Sequence, residues 1–389
     1  MNIFVIPSCY RNSINKQMSI FVHEQCESLI KMGHKVTVLD ATLYSFKNWM
    51  SKTCISPKIR YEDTVKVYSY WVRGFAQALF PKFATSQYRK KINRLWDIAV
   101  KNEGKPDVIY AHFTYPSGFC AVELSKKHNV PVAVMEHGSM YFNKKIHHRI
   151  INQLKYTVNE ADYFFCVSPS HSKRIAELIG YDRDIDVIPN MISSRFTFSP
   201  LPRTGNEFVF FSAGNLKKIK QFDHLIRSFC KAFSPDDNVT LRIAGDGEEK
   251  DSLISLIEEN NRKGQIILLG RIDRDEMYEE YKNCNCFALA SQHESFGIVY
   301  REAAACGRPI ISTQNGGVEH GWSDELGILV PCFDEDKLSQ ALLDVYKNYD
   351  SFSLERISEI TLNYCSESKV MKQIEEILFS LTGEKNVTK

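Results

Sequence analysis

Short apolar runs recur along the chain, each a few residues long and rich in β-branched and aromatic side chains. In the first half they fall at Asn2–Pro7, Lys35–Leu39, Asp107–Ala111, Val132–Glu136 and Tyr163–Val167. Longer stretches with apolar residues at helical spacing separate them, as from Ile20 to Lys31. Gly and Pro open many of the loops, as at Gly33 ahead of the second run. Strand alternating with helix predicts a parallel, doubly wound α/β sheet. The period fades after Ile188-Pro189-Asn190, and residues 193–206 hold two prolines and a glycine. It restarts at Phe208–Ala213 and continues through Val239–Ala244, Ile266–Leu269, Cys286–Leu289, Pro309–Ser312 and Ile328–Val330. The pattern predicts two Rossmann-like domains, residues 1–192 and 193–365. A C-terminal helix and tail, 366–389, follow, with helical spacing at Val370, Ile374, Ile377 and Leu378, and are expected to pack back on the first domain.

Composition narrows the class. A length of 389 residues suits two domains. With 43% hydrophobic and 25% charged residues the chain is globular and not disordered. No run of about 18 apolar residues occurs, which excludes a membrane-spanning helix. The opening residues read as a first strand and not as a signal peptide. The 11 cysteines form no CxxC pair, and Cys284 with Cys286 is an isolated CxC. Buried free thiols in a reducing cytoplasm fit this better than a zinc site or a disulfide framework.

The net charge of +2 hides an asymmetry. Residues 1–190 hold 26 Lys+Arg against 16 Asp+Glu, a formal +10, which leaves −8 for the rest. A basic first half suggests an anionic partner such as membrane headgroups; incidental surface charge is the alternative. The local candidate is Trp71, Arg73, Phe75, Phe80, Lys82 and Phe83, followed by Tyr88-Arg89-Lys90-Lys91 and Arg94. Aromatic and basic residues together suit a headgroup boundary, and no nucleic-acid-binding motif accompanies them.

Two stretches hold candidate chemistry. Ala244-Gly245-Asp246-Gly247 follows a strand and resembles the start of a dinucleotide fingerprint, but position 250 is Lys. The first half has no such motif, so hydride transfer loses ground and a tight strand-to-helix turn suffices. Glu294 lies in the loop beyond the strand Cys286–Leu289, where open α/β sheets bind ligands. Phe296-Gly297-Ile298 then opens a helix whose free N–H groups favour phosphate. Glu302 follows eight residues after Glu294, and two carboxylates at one crevice suit sugar hydroxyls.

The stretch from Glu294 through Glu302 to Arg308-Pro309 resembles the retaining glycosyltransferases of family 4. So do Gly214-Asn215-Leu216 with Lys220, Gly316-Gly317-Val318-Glu319, Ser19-Ile20-Phe21-Val22-His23-Glu24-Gln25, His112 to Gly118, Glu136-His137-Gly138 and Ile188-Pro189-Asn190. The resemblance implies a GT-B fold, two Rossmann-like domains facing across a cleft, with the nucleotide sugar on the second. It implies Lys220 on the diphosphate, Glu294 on donor sugar hydroxyls and Glu302 on the ribose. Backbone amides near Phe296, Gly297 and Ile298 would hold sugar or phosphate, and His137 would sit at the reacting centre. His112 and Ser19 are cleft candidates.

Departures are Asn215 in place of the usual arginine, Ser19 in place of a glycine, and Met191 in place of the glycine after Asn190. Lys217, Lys218 or Arg271 could supply the missing cation. His147 and His148 read as an exposed pair and not as metal ligands. No cofactor and no metal is expected beyond a UDP- or GDP-sugar as co-substrate. The acceptor would be a glycan or a lipid-linked glycan, and the location the cytoplasm or the inner face of the cell membrane. A nucleotide-sugar epimerase on the same fold and a non-catalytic sugar-binding relative are the alternatives.

Overall fold

The computed structural model describes residues 1–12, 15–44, 56–73, 80–143, 145–201 and 207–383. Contacts divide the chain into two compact units, Met1–Met191 with Ser368–Lys389, and Ile192–Glu367. The strands of the first unit are β1 Asn2–Pro7, β2 Lys35–Asp40, β3 Leu43–Tyr44, β4 Lys58–Glu62, β5 Val65–Ser69, β6 Val72–Arg73, β7 Val108–His112, β8 Val132–Glu136, β9 Tyr163–Cys166 and β10 Asp186–Val187. Eight of them form a sheet in the order β10-β9-β8-β7-β1-β2-β5-β4. All its pairings are parallel except β4 with β5. Counted along the parallel strands the order is 3-2-1-4-5-6-7, so the winding reverses between β1 and β7.

Helices cover this sheet on both faces, so its central strands are apolar throughout: Ile3, Phe4, Val5 and Ile6 are all fully buried. The helix Pro81–Glu103 starts on a proline at its first turn, buries Ala84, Tyr88, Ile92, Leu95, Trp96 and Ala99 along one stripe, and ends at Gly104. The closing helix Glu367–Thr382 is held in part by His34, whose Nε2 meets Glu375 Oε1 at 2.7 Å and whose ring lies edge-on to Phe379.

The second unit is a six-stranded parallel sheet: β11 Phe208–Ala213, β12 Val239–Ala244, β13 Ile266–Gly270, β14 Cys286–Leu289, β15 Ile310–Thr313 and β16 Gly327–Val330. Their order is β13-β12-β11-β14-β15-β16, the Rossmann winding 3-2-1-4-5-6, with the reversal between β11 and β14. The expected α/β class is therefore present in both units. The β4–β5 hairpin was not anticipated. Its outer strand holds only exposed and half-buried residues and carries no continuous apolar run.

Candidate active site

In each unit the loops that follow the two strands at the winding reversal mark the place where open α/β sheets form a ligand crevice, at the strands' carboxyl ends. In the second unit these are the loops after β11 and β14. Gly214 leaves β11, and a single helical turn, Lys218–Lys220, brings Lys220 back over the crevice. Lys220 Nζ lies 2.5 Å from Glu294 Oε1. Ser291 Oγ donates to the same oxygen at 2.7 Å. Glu294 Oε2 has no donor among the described residues. The two loops are tied by Gln292 N to Ile219 O at 2.8 Å. Behind them, Gly245 has φ +155°, and a Cβ there would stand 1.9 Å from Gly214 O. The Ala244–Gly247 turn thus owes its glycine to backbone packing under the Lys220 loop.

Asn315 braces this crevice. Its backbone oxygen accepts from Glu294 N, and its Oδ1 accepts from Gly317 N and Val318 N at 3.1 and 3.3 Å. Its Nδ2 donates to Tyr300 Oη and Ser312 Oγ, both at 3.2 Å. Gly297 precedes the helix Ile298–Ala305 in left-handed backbone, φ 78°, a conformation glycine adopts without a Cβ penalty. The N–H groups of Phe296, Gly297 and Ile298 carry no hydrogen bond to another described residue. Phe296 itself is buried, its ring stacked near Tyr364.

Glu302 is placed differently from Glu294. It is 1% exposed, and both oxygens are engaged, Oε1 by Arg274 Nη1 at 2.7 Å and Oε2 by Tyr281 Oη at 3.1 Å. Arg274 opens the helix after β13 and went unnoticed in the sequence, where Arg271 attracted attention instead. Arg271, Asn215, Lys217 and Lys218 are all exposed. Ser291, Asn315 and Arg301 were also missed. Arg301 is fully buried and donates to Val318 O and His320 O, both at 2.6 Å, holding the turn after β15. Single polar residues of this kind carry no spacing signal.

In the first unit the corresponding loops follow β1 and β7. His112 ends β7, and Phe113 follows with φ 66°, a costly conformation for an aromatic residue. Glu136, at the end of β8, clamps this loop to the next: its Oε2 accepts from Thr114 N and its Oε1 from Gly138 N, both at 2.5 Å. Burial raises the Glu136 pKa, while these donors favour the carboxylate. His137 packs against Phe21 and Phe113 and stacks on His112. Burial holds His112 down at about 3. Burial and then the His112 charge push His137 well below an ordinary imidazole.

Ser19 precedes the helix Ile20–Lys31 in left-handed backbone, φ 48°, with its Oγ 3.0 Å from Cys9 Sγ. His23, on that helix, lies between Tyr10 Oη at 2.7 Å and Asp63 Oδ2 at 3.0 Å. His23, Glu27 and Asp63 bring possible metal-ligand atoms within 4.8 Å of one another. Arg11 Nη1 also bonds Asp63 at 2.9 Å, so a guanidinium already balances that charge. Of the surface cluster, Phe80, Lys82, Phe83, Arg89, Lys90 and Arg94 are exposed. Trp71 and Tyr88 do not join them: the Trp71 indole donates to Asp40 Oδ2 at 3.1 Å, and Tyr88 is fully buried, bonded to Pro7 O. Phe75 lies outside the described residues. Among the described residues no helix is long and apolar enough to cross a membrane.

Two family models together match residues 18–361 of the chain. Residues 18–196 match Glycosyltransferase Family 4, and residues 194–361 match Glycosyl transferases group 1. The chain is 24% identical over 298 residues to N-acetyl-alpha-D-glucosaminyl L-malate synthase of Bacillus anthracis, covering 72% of this chain and 76% of that one. It is 25% identical over 370 residues to the putative teichuronic acid biosynthesis glycosyltransferase TuaC of Bacillus subtilis, covering 90% and 89%. Its fold is similar to sucrose-phosphate synthase from Thermosynechococcus elongatus, with TM-score 0.79 at 17% identity over 98% of this chain and 100% of that one. It is similar also to Anabaena HepE in complex with UDP, with TM-score 0.72 at 18% identity over 98% and 100%.

Proposed function

Starting from a chain that belongs to the family 4 glycosyltransferases and has the GT-B fold, we propose that it is a retaining enzyme of polysaccharide or glycolipid assembly. It moves a sugar from a UDP- or GDP-sugar to a hydroxyl acceptor. The carrying observation is the Lys220–Glu294 pair at the winding reversal of the second unit. A diphosphate competes with Glu294 for the Lys220 ammonium, and the carboxylate released then accepts hydrogen bonds from sugar hydroxyls. Unbonded amides of Phe296, Gly297 and Ile298 at a helix N-terminus suit the remaining anionic oxygens. Gly214, Asn215 and Arg271 border this donor site, and Glu302, held with Arg274, is assigned to the ribose. The first unit, with His137, His112 and Ser19, serves the reacting centre and the acceptor.

In the reaction the anomeric carbon–oxygen bond to the diphosphate breaks as the acceptor hydroxyl bonds from the same face. The departing phosphate oxygen takes the hydroxyl proton, so the products are the glycoside and a nucleoside diphosphate. Lys220 and the helix amides stabilise the leaving charge, and losing one such donor costs about 10²–10³ in rate. No metal enters this account. Incubation with a panel of nucleotide sugars tests it: nucleoside diphosphate release must require an acceptor, and the product must keep the donor's anomeric configuration. Release without acceptor, epimerised donor, or an inverted product each overturns the reading.

The first unit docks on an anionic membrane face through the start of the helix Pro81–Glu103. Phe80 and Phe83 are 55% and 52% exposed on either side of Lys82, with Lys90 and Arg94 farther along. Each basic residue near such a surface contributes on the order of 1 kcal/mol. Sedimentation with vesicles checks this. Binding should need anionic lipid, weaken with salt and fall in Phe83→Ser; equal recovery with neutral vesicles contradicts it.

A further inference from the structure

His112, His137 and Asn190 form an unbranched chain of hydrogen bonds inside the first unit. His112 Nδ1 lies 3.1 Å from His137 Nε2, and His137 Nδ1 lies 2.9 Å from Asn190 Oδ1. All three are nearly closed to solvent, at 0%, 6% and 3% exposure. The far end of the chain, His112 Nε2, is buried with no partner.

A neutral imidazole has one N–H and one lone pair, so the chain admits two directions. In the first, His137 Nδ1–H donates to Asn190 Oδ1 and His112 Nδ1–H donates to His137 Nε2. The orphan His112 Nε2 is then a lone pair. In the second, the Asn190 amide is turned over, every proton moves one place, and the orphan becomes a buried N–H. An orphaned buried N–H is the rarer and costlier state. The first direction is therefore favoured, and it is the one in which Asn190 Oδ1 is the acceptor.

We propose that Asn190 is a positioning residue that fixes His137 as the Nδ1–H tautomer and, through it, leaves His137 with no nitrogen free to exchange a proton with substrate. Its link to sugar transfer rests on the reading of His137 given above. Nδ1 is committed to Asn190 and Nε2 to His112. The ring, wedged by Phe21 and Phe113, offers the reacting centre a fixed wall and a fixed backbone. The acceptor proton then has to leave on the phosphate oxygen and not on this histidine. Ile188-Pro189-Asn190 thereby gains a task that its position next to the linker did not suggest.

The test is long-range ¹H–¹⁵N correlation on the full-length protein labelled at histidine, with His112 and His137 assigned from His112→Gln and His137→Gln. Wild type should show His137 protonated at Nδ1 and accepting at Nε2. Asn190→Asp keeps an acceptor in place and should retain that pattern. Asn190→Leu can neither accept nor donate, so each direction then leaves one buried N–H unpaired, at His137 Nδ1 or at His112 Nε2, and the Nε2–H form of His137 should become populated beside the Nδ1–H form. Should Asn190→Leu not fold, the wild-type and Asn190→Asp spectra still decide. An Nε2–H signal for His137 in wild type overturns the proposal, as does an unchanged tautomer in folded Asn190→Leu. These readouts need no turnover, so failure of the transferase reading would show separately, as absent sugar transfer with the tautomer intact. Where turnover is present, Asn190→Leu should lower kcat while leaving KM for the donor unchanged, and Asn190→Asp should restore kcat.

Discussion

A lysine and a glutamate paired with one another are an unusual resting state for a site proposed to receive a dianion. Lys220 is held by Glu294, and Glu294 is also held by Ser291. The two substitutions should therefore separate. Lys220→Ala removes the cation and should weaken nucleoside diphosphate binding and cut turnover by about 10²–10³. Glu294→Gln frees the ammonium while losing a sugar acceptor, so it should bind the nucleoside diphosphate at least as tightly yet transfer poorly. Calorimetric titration with UDP and GDP, beside an assay of transfer, reads both. Parallel weakening in the two variants would mean that the pair does not act as a displaceable clamp. Exposed Asn215 adds a third case: Asn215→Arg should tighten diphosphate binding if its side chain borders the same crevice, and unchanged affinity would place it elsewhere.

Elements were more legible than the residues that brace them. Strands buried on both faces show as continuous apolar runs. For that reason β1, β8, β11, β12 and β14 match the sequence reading at both ends, and others, such as β7 and β15, shift by a residue. Glu294 was visible because it stands just beyond a strand end, and Lys220 because the segment from Gly214 to Lys220 resembles the family's. Arg274 and Asn315 were not, because each acts through hydrogen bonds across the fold and repeats no pattern; Asn190 stood out only within a segment that resembles the family, not as the partner of His137. The Ala244–Gly247 turn lies between these cases: its glycines were seen, but their cause is the backbone packed against them, the Gly214 carbonyl at Gly245 and the Leu216 backbone at Gly247. Gly245→Ala should force that backbone apart and cost about 3 kcal/mol. Asn315→Ala leaves Gly317 N and Val318 N without their acceptor and should cost about 2 kcal/mol. Denaturant midpoints measure both. A midpoint for Gly245→Ala equal to wild type would show that the turn relaxes freely and does not support the Lys220 loop.

At the scale of the whole molecule, the first unit carries a load of buried neutral histidines. Burial pushes His23 and His171 down to about 4 and His112 to about 3, and His137 lies lower than an ordinary imidazole for the same first reason. In the unfolded chain each takes a proton below about pH 6.5. The folded state takes none until about pH 4. Their contribution to stability is therefore complete above pH 6.5 and is lost as pH falls toward 4. Glu136 and Asp40 act in the opposite sense, since burial raises both and the folded state keeps their protons longer. His171 separates the two effects. Burial outweighs the pull of the nearby Gly138 backbone on its ring, no well-formed hydrogen bond holds either nitrogen, and the ring lies near Tyr141 and Phe142, so an apolar ring of similar shape suits the site. His171→Phe removes one proton from the linkage and leaves the carboxyls untouched. It should stabilise the protein more at pH 5.5 than at pH 7.5, by about 1.4 kcal/mol. Urea unfolding of wild type and variant at the two pH values measures this difference, and an equal change at both would show that His171 is not held neutral in the folded protein.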